Sequence, residues 1–418
     1  YTAATLSPIN STNPAEVGIT GLNLRLTDLG PGEMPAPRAI EMGQQLPLDD
    51  QFSWIESEAD VTFIARHGNS LTIELQSRYQ RPRLHIENWT GDAPTTSGGL
   101  RVRFQGVCEA GRDNQGRLVP SQITAPDPQV VMFYPSPQGE IATAYRLPPQ
   151  TDTTMGGYFF TRGVVTFSGR VFGHHHLYVQ ETLGSTHVDM NDFPLDTPLA
   201  VGRRVEIGGN MVTGKGAPGI QPMAVNVLGW QTLPVARKLS EEDSLTLRDG
   251  LWVEAEGVVR FAYDDGTLKF LTPRGVLRLW IGETASEQLH ELVGARLLIH
   301  GVVSLDLTDE PMLLVASPEL VQVLAHAPKL PSTPQPIASL MRPMDDEMAA
   351  RVRVLGEVTH VQGSVYYLQD ATGAIKVERS GDPAPEIGSA VEVVGFRVAE
   401  SLGLQLVDAH WQPAEAEI

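Results

Sequence analysis

The sequence has almost no cysteine: Cys108 is the only one among 418 residues. A single thiol excludes an intrachain disulfide and a metal site made of several cysteines, and we expect Cys108 to be a buried apolar residue. The sequence also lacks a phosphate-binding glycine loop, a G-x-S-x-G nucleophile turn and an H-E-x-x-H helix. We therefore expect neither enzymatic activity nor a cofactor in this chain.

Basic and aromatic residues are scarce as well. Lys and Arg number 31 against 50 Asp and Glu, the formal net charge is −19, and aromatic residues make up 6% of the chain. Proteins that bind single-stranded nucleic acid use cationic contacts to phosphates and exposed aromatic side chains. This composition predicts that nucleic acid is not a partner.

Long apolar runs are also missing. No stretch approaches the roughly 18 apolar residues of a membrane-spanning helix, and the opening residues YTAATLSPINSTNPAEV have no basic start followed by an apolar segment. We expect contact with a membrane only through segments outside this chain.

What the sequence does contain is repeated. The stretch GSVYYLQDATGAIKVE, residues 363–378, predicts two strands joined by a tight turn in which Asp370 bonds the backbone. Its alternation favours Tyr367, Ile375 and Val377 on one side of the hairpin.

Two other stretches resemble this hairpin. LYVQETLGSTHV, residues 177–188, matches YYLQDATGAIKV, residues 366–377, without a gap, and LKFLTPRGVLRLW, residues 268–280, is a weaker copy. The hairpin is therefore a repeated part of the fold.

Two further strand types recur four times. A strand between two glycines with alternating apolar residues occurs as GLRVRFQG (99–106), GRRVEIGG (202–209), GARLLIHG (294–301) and GSAVEVVG (388–395). Upstream of each hairpin lies a strand of a second type: WIESEADVTF (54–63), YFFTRGVVTF (158–167), WVEAEGVVRF (252–261) and RVRVLGEVTH (351–360). Three of these carry a central glycine, at Gly163, Gly257 and Gly356, and the fourth has Ala59, which indicates a bulge or sharp coil.

These elements predict an all-β fold, a tandem array of four small five-stranded OB-like Greek-key barrels with Pro-rich linkers. A short helical piece is expected within TASEQLHELVG, residues 284–294. The predicted boundaries are an N-terminal segment over 1–45, with a strand left from an upstream repeat, and repeats over 46–150, 151–240, 241–330 and 331–418.

The quoted motifs resemble the tandem OB-like modules in the extracytoplasmic sensor regions of bacterial membrane-bound histidine kinases, including hybrid kinases. RVRVLGEVTHVQGSVYYLQDATGAIKVE and GLWVEAEGVVRF carry this resemblance most clearly. It implies a non-catalytic sensing or interaction region on the periplasmic or extracellular side of a bacterial cell, with an unknown small-molecule or protein ligand. The alternative is an OB-fold array that binds single-stranded nucleic acid. The oligomeric state stays open.

The candidate site residues are few. His174, His175 and His176 precede a predicted strand, and pairing of Leu177 with Val188 places His176 diagonally beside His187. These two imidazoles, with Asp189 as a third ligand, are a possible metal site, and a solvated loop is the alternative.

Three tryptophans lie at the predicted unit edges. If a small ligand binds, we expect it where barrels meet, with Trp230, Trp252 and Trp411 as anchors, and packing between barrels is the alternative.

Two other groups have simpler interpretations. RYQRPRLH, residues 78–85, mixes arginines with an aromatic residue and could contact phosphates, but an exposed hairpin is favoured. Glu254 and Glu256 share one side of a strand, and without a histidine nearby they are expected to be polar surface residues.

Overall fold

The computed structural model describes residues 2–3, 27–28, 34–47, 52–77, 80–94, 99–113, 115–136, 158–181, 184–191, 193–194, 199–212, 219–239, 247–305, 307–308, 310–341, 351–380, 383–400 and 403–414. The chain is all-β and contains four closed five-stranded barrels in tandem, which confirms the predicted fold class. It divides into two compact units, one of residues 1–168 and 174–235 and one of residues 169–173 and 236–418. Barrels 1 and 2, apart from residues 169–173, belong to the first unit, and barrels 3 and 4 to the second.

Three short strands precede barrel 1: β1 (Thr2–Ala3), β2 (Thr27–Asp28) and β3 (Arg38–Ala39). β1 pairs with β2, and β3 runs parallel to the first strand of barrel 1. The predicted strand from an upstream repeat lies largely outside the described residues.

The strands of the first unit follow in chain order. Barrel 1 contains β4 (Ser53–His67), β5 (Ser70–Leu75), β6 (Gln80–Arg81), β7 (Arg83–Ile86), β8 (Leu100–Arg112), β9 (Leu118–Ala125) and, after a 3-10 turn at Pro128–Val130, β10 (Val131–Pro135). Barrel 2 contains β11 (Tyr158–Val171), β12 (His174–Gln180), β13 (Ser185–Asp189), β14 (Arg203–Val212) and β15 (Gly219–Trp230), followed by β16 (Leu233–Pro234).

The second unit begins with β17 (Arg237–Lys238). Barrel 3 contains β18 (Trp252–Ala262), β19 (Thr267–Thr272), β20 (Gly275–Ile281), helix α1 (Ser286–Glu291), β21 (Arg296–Ser304), β22 (Met312–Val315), a 3-10 turn at Pro318–Leu320 and β23 (Val321–Ala325). Barrel 4 follows a 3-10 turn at Ile337–Met341 and contains β24 (Arg351–Gln362), β25 (Val365–Gln369), β26 (Ala374–Arg379), β27 (Ala390–Glu400) and β28 (Gly403–Pro413). Helix α1 lies within the stretch predicted to be helical.

All four barrels have the same strand order. The five barrel strands, called strands 1 to 5, are β4, β5, β7, β8 and β9 in barrel 1, β11 to β15 in barrel 2, β18 to β22 in barrel 3, and β24 to β28 in barrel 4. Strand 3 pairs in parallel with strand 5, strand 5 pairs with strand 4, and strand 4 closes the barrel on strand 1. This is the Greek-key order of the OB-fold.

The barrels alternate between two forms. Barrels 1 and 3 each carry a short parallel strand against strand 1, β3 or β17, and a further strand against strand 4, β10 or β23. Barrels 2 and 4 are closed sheets of five strands in the described part of the chain. The larger repeat is thus a pair of barrels, which coincides with the two compact units.

The glycine-flanked motif forms the start of strand 4 in every barrel. Its alternating apolar residues are fully buried: Val102, Phe104, Val205, Ile207, Leu297, Ile299, Val391 and Val393. The first glycine has a left-handed backbone, with φ from 84° to 93°, at Gly99, Gly202, Gly294 and Gly388. At the second glycine strand 5 passes so close that a Cβ would lie within 3 Å of its atoms, as at Gly301 and Gly395. A turn and a close strand crossing therefore explain this spacing.

The orientation predicted for one hairpin residue is wrong. In barrel 4, Tyr366 pairs with Val377 and faces the core, whereas Tyr367 pairs with Lys376 and points outward. Because side chains alternate along a strand, the buried positions of Ile375 and Val377 require their partners to be buried too. Elsewhere, Cys108 is fully buried as predicted.

Candidate functional site

Each barrel presents one cross-strand pair at the centre of the outer side of strands 2 and 3. These pairs are Thr72–His85, Tyr178–His187, Lys269–Arg278 and Tyr367–Lys376. The neighbouring residues in each strand face the core, so the pleat places the central pair on the opposite side of the sheet, where Tyr178 and Thr72 are nonetheless covered and buried. None of these eight residues is acidic, and seven are aromatic, imidazole or cationic, in a chain whose net charge is −19.

Barrel 4 presents the most open of these pairs. Tyr367 is 38% exposed, and its ring centroid lies 6.0 Å from that of His360 on strand 1. Thr359 is the extra residue of a β-bulge in strand 1, which brings His360 opposite Tyr367. Lys376 continues the row on strand 3, and the buried Gln405 lies opposite it on strand 5. We call His360, Tyr367, Lys376 and Gln405 the barrel 4 face.

The hairpin under this face is held by Asp370. One carboxylate oxygen accepts hydrogen bonds from the backbone N–H groups of Thr372, at 2.7 Å, and Gly373, at 2.8 Å. The other accepts from the N–H of Ile337 at 2.8 Å. Burial raises the pKa of Asp370, but these hydrogen bonds outweigh it and hold the pKa below its usual value. The bonding of the turn by Asp370 follows the sequence prediction.

In barrel 3 both cations of the central pair have partners. The Lys269 ammonium lies 2.6 Å from the carboxylate of Asp408 in barrel 4. The Arg278 guanidinium lies over the ring of Tyr263, at 4.3 Å, and binds Asp265. Part of this side of barrel 3 is therefore occupied by barrel 4.

Barrel 1 uses the same side against barrel 2. Arg83 donates to the Val201 carbonyl at 2.8 Å, and β6 pairs with β16. Arg81 is buried and donates to the Ser77 carbonyl. The two described arginines of RYQRPRLH thus donate to backbone carbonyls, Arg81 in a buried and Arg83 in a half-buried position, while Arg78 and Tyr79 lie outside the described residues.

The two histidines of the predicted metal site form a hydrogen bond. The Nδ1 atom of His176 lies 3.0 Å from the Nε2 atom of His187, and the rings are inclined by 22° with centroids 5.2 Å apart. The two nitrogens are therefore within hydrogen-bonding distance, and the tautomers of the two rings decide which one donates. The diagonal approach of His176 and His187 follows the prediction, but the rings would have to turn to share a metal ion.

The third proposed ligand is turned elsewhere. One oxygen of Asp189 accepts from both the backbone N–H and the side-chain amide of Asn191, at 3.1 and 2.7 Å. In the described part of the chain, no group of three or more His, Cys, Asp or Glu has the geometry to hold a metal ion. A metal at His176, His187 and Asp189 stays a prediction without geometric support.

We expect the first unit to lose stability as the pH falls from 7 to 5. Burial, followed by the charge of His187, lowers the pKa of His176 from 6.5 to about 4. Between these values the unfolded chain binds a proton that the folded chain does not, so the free energy of unfolding falls below pH 6.5 and levels off near pH 4. The expected loss is about 2 kcal/mol between pH 7 and pH 5.

Denaturant unfolding of the wild type and of His176→Asn at both pH values measures this loss. Asparagine keeps a polar atom near Nδ1 but does not titrate, so the variant should lose most of the dependence. An unchanged dependence in the variant would contradict the assignment.

The three tryptophans have different surroundings. Trp252 is 4% exposed and lies edge-on to His300 within barrel 3, and the indole N–H of Trp411 donates to the Pro383 carbonyl in barrel 4. Among the described contacts of the three, only Trp230 of barrel 2 lies at a junction between barrels. Its backbone carbonyl oxygen would be 3.1 Å from a Cβ added at Gly111 of barrel 1. A ligand anchored by these residues stays a prediction.

The predicted carboxylate pair is separated by its partners. Glu254 binds His300 at 2.8 Å, and Glu256 binds Arg296 at 3.2 Å. Burial raises the pKa of Glu254, but His300 and Lys238 outweigh it and lower the pKa. The expectation that no histidine lies near Glu254 is wrong, because strand pairing brings the distant His300 opposite it.

Sequence reasoning missed the barrel 4 face. His360 and Tyr367 come together only after the bulge, and Tyr367 was expected on the side of the core residues. The signal was present, since the repeated hairpin places Tyr178 and His187 at the positions of Tyr367 and Lys376.

No protein-family model and no curated protein matches this chain. Solved structures do match parts of it. The tetrameric p202 HIN2 is 15% identical, with 43% of this chain and 99% of that chain covered and a TM-score of 0.19. A murine DNA-binding protein bound to double-stranded DNA is 14% identical over 40% of this chain and 99% of that chain, with a TM-score of 0.19.

A multidomain protein with nucleic-acid-binding domains from Streptococcus pneumoniae is 12% identical. The match covers 62% of this chain and 75% of that chain, with a TM-score of 0.14. At such scores, a partner for this chain has to be argued from its own residues.

The prediction that nucleic acid is not a partner is wrong as it was argued from composition, and the matched structures, which include a DNA-binding protein in complex with double-stranded DNA, stand against it. The physical error lies in using the net charge of the whole chain. A formal charge of −19 is a sum over all the residues, whereas a binding surface is local, and the central hairpin pairs carry no acidic residue. No helix in the described part of the chain is long and apolar enough to cross a membrane.

Proposed function

We propose that this chain is a non-catalytic array of OB-type barrels that binds single-stranded nucleic acid on the barrel 4 face. The observation that carries the proposal is the row formed by His360, Tyr367 and Lys376 across three adjacent strands. The outer side of strands 2 and 3 is the side on which OB-folds bind oligonucleotides and oligosaccharides.

The side chains of the row suit a single strand. Tyr367 offers a partly exposed ring on which a base can stack, and Lys376 lies directly opposite it as a cation for the adjacent phosphate. His360 extends the aromatic surface by a second ring. Stacking accepts any base, so we expect little sequence preference at this face.

The acidic residues of barrel 4 limit the affinity. Glu392 is engaged by Arg353 at 2.7 Å, but the exposed Glu357 and Glu378 lie on the outer side of the same sheet, one pair away from Tyr367. Their repulsion of phosphates leaves base stacking as the main source of binding. We expect a dissociation constant on the order of 10 µM at physiological salt.

Fluorescence anisotropy with labelled single-stranded DNA and RNA tests the proposal. Tyr367→Ala should weaken binding at least about fivefold through the loss of one stacked base. Lys376→Ala should weaken it and reduce the salt dependence by about one phosphate contact.

Ile387→Ala is the matched control, because Ile387 is a large exposed apolar residue of the same barrel outside the face. It should bind like the wild type. Absence of binding at low salt, or equal binding by the wild type and Tyr367→Ala, would refute the proposal.

The sensor hypothesis, with its periplasmic or extracellular location, stays a prediction that no comparison supports. The absence of enzymatic activity likewise stays a prediction.

A further inference from the structure

Barrel 2 contains a cavity of about 250 Å³ beside Asp189, the last residue of strand 3. It is lined by Asp189, Phe193, Asn210, Gln221, Pro222 and Met223. The cavity thus lies between the end of strand 3 and the paired ends of strands 4 and 5. The loop that joins strands 4 and 5 takes part in ligand binding by OB-folds.

A β-bulge shapes this cavity. Gly208 pairs with Ala224 and Gly209 with Pro222, so Met223 is left as an extra residue in strand 5. Its side chain is 64% exposed beside the cavity. Bulges of this kind redirect a side chain, and methionine adapts its shape to a flat ring.

The polar groups of the cavity have unused hydrogen-bonding capacity. Asn210 and Gln221 form a cross-strand pair, and neither side chain has a hydrogen bond to the described residues. Asp189 uses one oxygen for Asn191, and its Oδ2 atom has no hydrogen-bond partner among the described residues. One carboxylate and two carboxamides therefore line a cavity that has no Lys or Arg among its described lining residues.

We infer that this cavity binds one nucleobase that carries an exocyclic amino group, which rests on the proposed binding of single-stranded nucleic acid. The amino group donates to Oδ2 of Asp189, as carboxylates accept from cytosine N4. The carboxamides of Asn210 and Gln221 match the remaining donors and acceptors of the base edge. Phe193 and Met223 contact the base ring.

The same chemistry excludes other ligands. At the position of the cytosine amino group, uracil and thymine carry a carbonyl oxygen. The Asp189 carboxylate repels that oxygen. Asp189 also repels phosphate, so the base alone enters and the backbone stays outside. Selection therefore occurs at barrel 2, whereas the barrel 4 face accepts any base.

Saturation-transfer NMR of the full chain with free cytidine, adenosine, guanosine and uridine tests this inference without phosphate contacts. The amino-bearing nucleosides should bind with dissociation constants on the order of 1 mM, and uridine at least about tenfold more weakly. Asp189→Asn should remove this preference, because an amide both donates and accepts. Gln221→Ala, at an exposed position, should weaken all amino-bearing nucleosides about threefold or more.

Tyr367→Ala separates the two proposals, since it should weaken oligonucleotide binding but keep the preference for amino-bearing nucleosides over uridine. Thermal melting of each variant checks that it is folded. Equal binding of the four nucleosides, no detectable binding of any, or binding of the diamine putrescine in their place would each overturn the inference, even if oligonucleotides bind barrel 4.

Discussion

Replacing Asp408 by asparagine should lower the free energy of unfolding of the second unit by about 3–5 kcal/mol. Asp408 of barrel 4 lies between two cations of barrel 3, 2.6 Å from the Lys269 ammonium and 3.4 Å from Nε of Arg260. Arg260 and Asp408 are both almost fully buried. Removing a buried carboxylate from such a cluster takes away a negative charge that both cations face, which costs far more than an exposed ion pair is worth.

The surroundings of Arg260 sharpen this expectation. Its guanidinium lies over the ring of Phe396 in barrel 4, at 4.0 Å, and Phe396 packs with Val258 of barrel 3. Burial lowers the pKa of Arg260 more than Asp408 raises it. The ion pair is thus set in an apolar contact between barrels, where water cannot replace the lost carboxylate.

Asparagine is the informative substitution because Asp408 has a left-handed backbone, with φ of 52°, which asparagine also adopts readily. The change therefore removes charge without adding backbone strain. The matched control is Glu256→Gln, which removes the carboxylate from the exposed Glu256–Arg296 pair of barrel 3 and should cost at most about 1 kcal/mol.

Denaturant unfolding of the full chain, followed by tryptophan fluorescence and hydrogen exchange of barrels 3 and 4, measures the effect. Hydrogen exchange assigns the loss to the second unit, because a multidomain chain does not unfold in one step. Equal losses in Asp408→Asn and Glu256→Gln would show that the cluster is not a buried ion pair.

The fold was predictable because its determinants are local and repeated. Strand 4 needs a left-handed residue at its start and a close crossing by strand 5, so glycines recur at a fixed spacing, as at Gly294 and Gly301. Alternation between them marks the buried side of the strand. Four copies of such a signal are sufficient to predict four barrels.

The candidate site was less predictable, because it depends on register. The buried Tyr366 and the outward Tyr367 are adjacent in the sequence, and the alternation of VYYLQ does not tell which of them faces the core. The row with His360 depends on a bulge at Thr359, and the cavity of barrel 2 depends on another at Met223. A bulge adds one residue to a strand and leaves no clear mark in a single sequence.

Contacts between barrels were not predictable either. Lys269 and Asp408 are 139 residues apart, and nothing local to either stretch connects them. The paired arrangement of barrels follows from such contacts. The net charge led to a wrong prediction about nucleic acid for a related reason, because a sum over all residues does not say where the charges lie. The central hairpin pairs carry no acidic residue, even though the chain as a whole is strongly acidic.

Replacing Gly356 by alanine should destabilise barrel 4 by about 2–3 kcal/mol. Gly356 lies in strand 1 where it passes from pairing with strand 4 to pairing with strand 2. A Cβ at this position would lie 2.7 Å from the Gln369 carbonyl oxygen and 2.8 Å from Cγ of Leu368. The first of these is a backbone atom of strand 2, so the strand itself has to move, and Leu368 belongs to the core of barrel 4.

Gly373→Ala in the same hairpin is the matched control. There the nearest atom to an added Cβ is Cγ2 of Ile337 at 3.6 Å, an ordinary contact, and the backbone is not left-handed. This variant should be neutral or stabilising by up to about 1 kcal/mol, because alanine restricts the unfolded chain.

Barrel 1 has the buried Ala59 at the position of Gly356, so a methyl group is acceptable where the surrounding strands are spaced for it. Denaturant unfolding of the two variants compares them directly, and similar stabilities would show that strand 2 does not approach Gly356 as closely as the structure places it.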